Sequence, residues 1–149
     1  MQERGGRAGG RAKQMAKLNR KVKSYILYEI EMYHENKKQL EAYRRDIIEA
    51  GPQPPDGQPR GNGLSNPVES KAIRIDSSAY LRRAEQTVRA IERAFERVDH
   101  NHYRVIDMMY WRRTHTAIGA GMVLHAGKTT IYRWIDDVVV MVAKELGYM

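Results

Sequence analysis

Lys128, Thr129, Thr130, Tyr132 and Arg133 place five hydrogen-bond donors within six positions, shortly after the apolar Leu124. Lys and Arg pair with phosphates or guanine edges, and Thr and Tyr donate to phosphate oxygens, so this chemistry is recognition of a nucleic acid rather than bond-making. Arg112 and Arg113, just upstream, are candidate phosphate clamps. Such a cluster needs a scaffold that aims it outward. Two helices supply one, the first ending at Leu124 and the second starting at Lys128, with His125-Ala126-Gly127 as the turn between them. Gly121 is the small residue that lets the helices approach, Ile131 and Trp134 are inward anchors, and Lys128, Thr129, Tyr132 and Arg133 then fall on the outer face. His125 stands where a left-handed backbone is common, and His tolerates it better than most residues.

Other motifs are less complete. Gly127-Lys128-Thr129 looks like the end of a phosphate-binding loop, but that motif needs Gly where this chain has Met122, and no strand precedes it. Asp99-His100-Asn101-His102 contains metal-ligating types, yet it reads more simply as a polar turn in which Asp99 or Asn101 caps the next helix. His34 and His115 are isolated. The carboxylates are scattered over amphipathic helices with no paired or triad arrangement, so no enzyme is expected, and no cofactor. The absence of cysteine removes disulfide scaffolds, thiolate nucleophiles and Cys-ligated metals. Nine tyrosines against one Phe could stack on bases, but most lie at helical spacing near apolar stripes, where core or dimer contact is the commoner role.

Charge is distributed unevenly. Of the net +8, most lies in residues 1–24, where eight basic side chains face Glu3 alone. Gly5, Gly6, Gly9 and Gly10 dilute the same stretch, and no large apolar side chain precedes Met15, so residues 1–14 read as a flexible basic arm suited to sequence-independent phosphate contacts. No run approaches a membrane span, and the start lacks the apolar stretch of a secretory signal; no membrane partner is expected and the cytoplasm is the expected location.

All five prolines fall between 52 and 67, interleaved with glycines, which marks 51–70 as a linker. Before it, residues 15–50 form the expected N-terminal helix, with Leu18, Val22, Ile26, Ile30, Tyr33, Leu40, Tyr43 and Ile47 as its stripe. That stripe must pack on the C-terminal module or on a second copy, so a homodimer is one expectation. Residues 71–149 form the module. Leu81, Ala84, Val88, Ile91, Phe95 and Val98 define an amphipathic helix, with Asp76, Ser77 or Ser78 as its N-cap. Shorter helices are expected over 102–112 and 116–124, and a last one over 128–146. Val138-Val139-Val140 would suit a strand, but the apolar positions follow a 3.6 period and the chain reads as all-α.

From about Lys21 to Leu146 the chain resembles the RinA family of phage-encoded transcriptional activators, related in its C-terminal part to the ArpU family and to the promoter-reading fourth region of sigma factors. The carriers are Tyr33-His34-Glu35-Asn36-Lys37-Lys38-Gln39-Leu40, Asp46-Ile47-Ile48-Glu49, the run from Arg104 to Trp111 that ends in an aromatic pair, and, most specifically, the run from Leu124 to Trp134. The resemblance implies a sigma region-4-like helix-turn-helix that binds double-stranded DNA and activates late phage genes in the bacterial host cell, with bacterial RNA polymerase as a further partner. The chain carries Gly121 where these families usually have Ala, and Gly127 where they often have Ser at the start of the recognition helix. The alternative is a DNA-binding phage assembly protein of small-terminase type, disfavoured by the C-terminal position of the module.

Overall fold

A computed structural model of the chain describes residues 18–50 and 67–149, with backbone alone for 47, 49, 50 and 67–78. The expected arm (1–14) and most of the linker (51–66) lie outside the described residues. Six α-helices and one π-helical turn make up the described chain, with no strand among the described residues, so the fold is all-α.

The first helix begins one turn later than its stripe suggested. Asn19 caps it, its side-chain oxygen accepting from the Lys21 amide at 2.9 Å, and α1 runs Arg20–Glu31. The single helix expected over 15–50 is divided: Met32 leaves helical geometry (φ −88°, ψ 4°), and α2 then runs Tyr33–Ala50. A tertiary contact explains why the division is tolerated. Ile30, at the end of α1, directs its carbonyl to the Trp111 indole, which donates at 2.8 Å. A break frees backbone acceptors, and an aromatic donor from a distant element satisfies one of them.

The next helix starts earlier than expected. α3 spans Pro67–Arg97, so the last four linker residues are helical and Asp76, Ser77 and Ser78 lie inside the helix rather than at its N-cap. Pro67 in first position fits, because its missing N–H and fixed φ cost nothing there. After Val98 and Asp99, α4 runs His100–Ile106, two residues ahead of its expected start. Asp99 occupies the N-cap but its side chain makes no capping bond, contrary to that expectation. α4 passes into a π-helical turn, Asp107–Trp111, closed by the Arg112 amide donating to the Asp107 carbonyl at 2.8 Å. α5 (Ala117–Leu124) and α6 (Lys128–Glu145) complete the chain.

One core joins these elements. α6 packs against α1, α3, α4 and α5, while α2 lies on α3. Ile26 and Ile30 of α1, Ile91 and Ala94 of α3, Val105 and Ile106 of α4 and Ile131, Val138, Val139 and Val142 of α6 are buried in the same cluster. The apolar stripe of the N-terminal helix is thus covered within the chain, which was one of its two expected partners. Val138, Val139 and Val140 are all buried because a helix enclosed on several sides has no exposed face at that depth.

Around Trp111 the rings of Tyr33, His34, Phe95 and Tyr103 lie 4.5–5.8 Å away between centroids, tying α2, α3 and α4 together. Beside them, Lys37 Nζ pairs with Glu92 Oε1 at 2.9 Å and the Tyr33 hydroxyl donates to the same oxygen at 2.9 Å. The Lys37 hydrogen bond outweighs partial burial and holds the Glu92 carboxyl below the usual glutamate value.

Two outcomes follow. Trp111→Phe is expected to lower the unfolding free energy by about 1–3 kcal/mol, read by urea denaturation, because it removes the donor to Ile30 and also part of the indole that the surrounding rings pack against; an unchanged midpoint would count against both contacts. A glutamate held low in the folded state contributes stability above its unfolded pKa, and loses it as pH falls through the lower folded value. Glu92→Gln should therefore lower stability at neutral pH and converge with the parent protein in acid, below the ordinary glutamate pKa.

Candidate nucleic-acid interface

The expected donor cluster sits on the last helix pair. Thr116 caps α5, its Oγ1 accepting from the Gly119 amide at 3.1 Å. The helix ends at His125 in the left-handed region (φ 55°, ψ 45°), as its turn position suggested, and the Ala126 amide donates back to the Gly121 carbonyl at 2.9 Å. Gly121 is required by close approach. A Cβ on it would stand 2.3 Å from the Ala126 carbonyl oxygen, and 3.6 Å from Ile131 Cγ1. An Ala at this position does not fit the turn without backbone movement. Gly127 follows in extended geometry as the N-cap of α6, with open space where a Cβ would be.

On α6 the two faces separate as the spacing required. Ile131 and Ile135 are buried, and Trp134 is half-buried against the core. Lys128, Thr129, Tyr132 and Arg133 are exposed on the other side, while Thr130 is half-buried. Lys128 Nζ lies 5.9 Å from the centroid of the Tyr132 ring, a cation–π contact one turn apart that holds the tyrosine beside the lysine. Neither α5 nor α6 has an acidic residue in its first turn. The partial positive charge at the start of α6 is therefore undiluted and augmented by Lys128, an arrangement that favours an anion. Farther along, Asp136 is paired with Lys23 of α1 at 3.1 Å, which offsets a carboxylate on the same helix.

Arg112 and Arg113 lie elsewhere than on α6, in the segment after the π turn. Arg112 pairs with Asp107 at 2.7 Å, and Arg113, with a left-handed backbone (φ 53°), pairs with Glu31 at the end of α1. Both side chains are largely exposed, and such pairs contribute only about 0–1 kcal/mol, so exchange for a phosphate costs little. Asp107 lies at the start of the same π turn that Arg112 closes, whereas Glu31 comes from a distant helix, which sequence spacing does not reveal.

His102, once a possible ligand, is a packing residue. Its Nε2 lies 2.8 Å from Asp137 Oδ2, its ring lies 5.9 Å from Trp134, and its Nδ1 is buried without a hydrogen-bond partner. Among the described residues no group of three or more His, Asp or Glu is placed to hold a metal. No helix there is long and apolar enough to cross a membrane.

Sequence reasoning missed two features. Ile118 and Met122 are exposed side by side on the outer face of α5, since a run apolar all round carries no stripe to separate inside from outside. Tyr25, Tyr28, Tyr80, Tyr103 and Tyr148 keep large exposed areas within the chain, so they do not fill the core, which was one of their two expected roles, while Tyr132 is exposed as its outer-face position required. Comparison with family models, with curated proteins and with solved structures found no match to this chain.

Gly121→Ala is expected to destabilise the protein by about 1–3 kcal/mol, because the collision with Ala126 exceeds the gain in helix propensity of about 1 kcal/mol. His125→Gly should raise stability by up to about 1 kcal/mol through relief of the left-handed strain. Thermal and denaturant unfolding of the two variants checks both, and a stabilised Gly121→Ala would show that the turn is looser than the 2.3 Å approach implies.

Proposed function

We propose that the chain is a phage or prophage transcriptional regulator that binds duplex DNA with α5, its turn and α6 as a helix-turn-helix, activating late genes together with the bacterial host's RNA polymerase. The observation that carries this reading is the two-sidedness of the α6 start. Its inner face is fixed by Ile131 and by the Gly121–Ala126 approach, and its outer face presents Lys128, Thr129, Tyr132 and Arg133 at a helix end free of acidic side chains. A rigid helix with exposed donors near its N-terminus is what major-groove readout requires. Thr130 joins this cluster at the groove, and Arg112 and Arg113 flank it as phosphate clamps. The resemblance to RinA activators supplies the phage setting, the direction of regulation and the cytoplasm of the host cell as the place of action.

The arm has a separate part. Arg4, Arg7, Arg11 and Lys13 of residues 1–14 add affinity for any duplex through counterion release, without reading sequence.

Fluorescence anisotropy on a phage late-promoter fragment and on a scrambled duplex, at about 50 and 200 mM salt, tests the reading. Tighter binding to the promoter that persists at the higher salt is expected. Arg133→Ala should cost about 1–3 kcal/mol on the promoter and relax specificity at one position, whereas deletion of residues 1–14 should weaken both duplexes alike and flatten the salt slope. Equal, salt-labile binding to both duplexes, or equal loss on both for Arg133→Ala, would overturn sequence-specific regulation. Mass in solution separates the regulator from a ring-forming packaging protein: a monomer or dimer is expected, and a large ring would overturn the proposal.

A further inference from the structure

On the opposite part of the helix order, α1 and α3 enclose a cavity of about 360 Å³ whose lining is unlike the rest of the surface. Tyr25 and Tyr28, three residues apart on α1, supply two of its aromatic rings, and Tyr80 of α3 supplies the third. Ala84, one turn after Tyr80, contributes only a methyl group and leaves room between the helices. The three tyrosines are 42%, 56% and 54% exposed, so the rings retain uncovered surface. They are not part of the aromatic cluster around Trp111.

Within this ring-lined space lies one carboxylate, Glu29. It is half-buried, and it accepts a hydrogen bond from the neutral Asn36 side-chain amide at 3.2 Å. Neighbouring acids have found cations: Glu31 pairs with Arg113, Glu85 with Arg44 and Arg89, and Glu92 with Lys37. Among the described residues no cation pairs with Glu29. Burial alone pushes its carboxyl above the usual glutamate value, the response of a charge removed from water without compensation. Arg83 also lines the cavity, but it is exposed and leaves that shift uncompensated.

Three aromatic rings lining one cavity with a half-buried carboxylate form an environment for a positive group that can stack and pair at once. A planar guanidinium meets both demands: its face lies on a ring while its N–H groups reach the carboxylate. We propose that this cavity is a binding site for the guanidinium of an arginine side chain, held between Tyr25, Tyr28 and Tyr80 and paired with Glu29. The proposal stands apart from the DNA-binding reading and uses none of its residues. The group can come from the arginine-rich residues 1–14 of the same chain or from a separate protein.

The test uses the full chain labelled at the tyrosine rings, titrated with N-acetylarginine methylamide at constant ionic strength, with the neutral, isosteric N-acetylcitrulline methylamide as control. Saturable shifts of Tyr25, Tyr28 and Tyr80 with the arginine probe are expected, and none with the citrulline probe. Glu29→Gln should weaken binding by about tenfold while leaving the unfolding temperature equal or higher, since it removes an uncompensated buried charge. Arg83→Ala should tighten binding or leave it unchanged, because it removes a like charge. Tighter probe binding after deletion of residues 1–14 assigns the natural group to the chain's own arm, and unchanged binding assigns it to a partner. Absence of saturable shifts, equal binding of the citrulline probe, or weaker binding by Arg83→Ala, which would signal an anionic ligand, would each overturn the proposal.

Discussion

Burial of α6 on several sides is the constraint to which the other elements answer. An 18-residue helix is about 27 Å long, and here α1, α3, α4 and α5 all pack along it. The run from Val138 to Val140 shows the consequence, since three successive side chains on a helix can be buried together only if it has neighbours on more than one side. β-branched residues cost some helix propensity, and this is offset by the apolar area they bury at the centre of the bundle. The first turns of α6 extend past this enclosure. Lys128, Thr129, Tyr132 and Arg133 are therefore carried by a helix that is held firmly at its far end and exposed at its near end.

That arrangement connects stability to the candidate interface. Gly121 and Ala126 set how closely α5 approaches α6, and this approach sets the direction in which the α6 start projects. The N-terminal helix takes part from the other side, through the Lys23–Asp136 pair and through Ile26 and Ile30 in the common core. A chain divided in sequence by its proline-rich stretch thus has its N-terminal helix built into the support of its C-terminal one. The Trp111 cluster repeats the theme, with one indole bonding to the end of α1 at the α1–α2 division and packing against rings from α2, α3 and α4.

The charged groups fall into two populations. Many surface acids and bases pair across helices, as Glu92 does with Lys37 and Glu145 with Arg93 and Arg97. The start of α6 and the carboxylate of Glu29 are outside that pattern, the first a positive end without an acid in its first turn and the second, among the described residues, a negative group without a cation. Desolvated or uncompensated charge is costly in a folded chain, and these two places are where a charged ligand would lower the free energy most.

The sequence by itself determined the helical class, the approximate helices and the two faces of α6, because each depends on local periodicity and on residue types that act over one or two turns. Gly121, His125 and Gly127 were legible for the same reason, as their roles arise within a short turn. Boundaries were less so: nothing local signals that Met32 interrupts a continuous stripe or that the helix before Leu81 reaches back to Pro67. Only the tertiary structure decided that the N-terminal stripe is covered by its own chain, that Arg113 faces Glu31, and that Tyr25, Tyr28 and Tyr80 line one cavity with Glu29. Each of these joins residues of different helices or of helix and loop. A pattern of apolar spacing states that a face must be covered, whereas the partner that covers it is selected by the packing of the whole bundle.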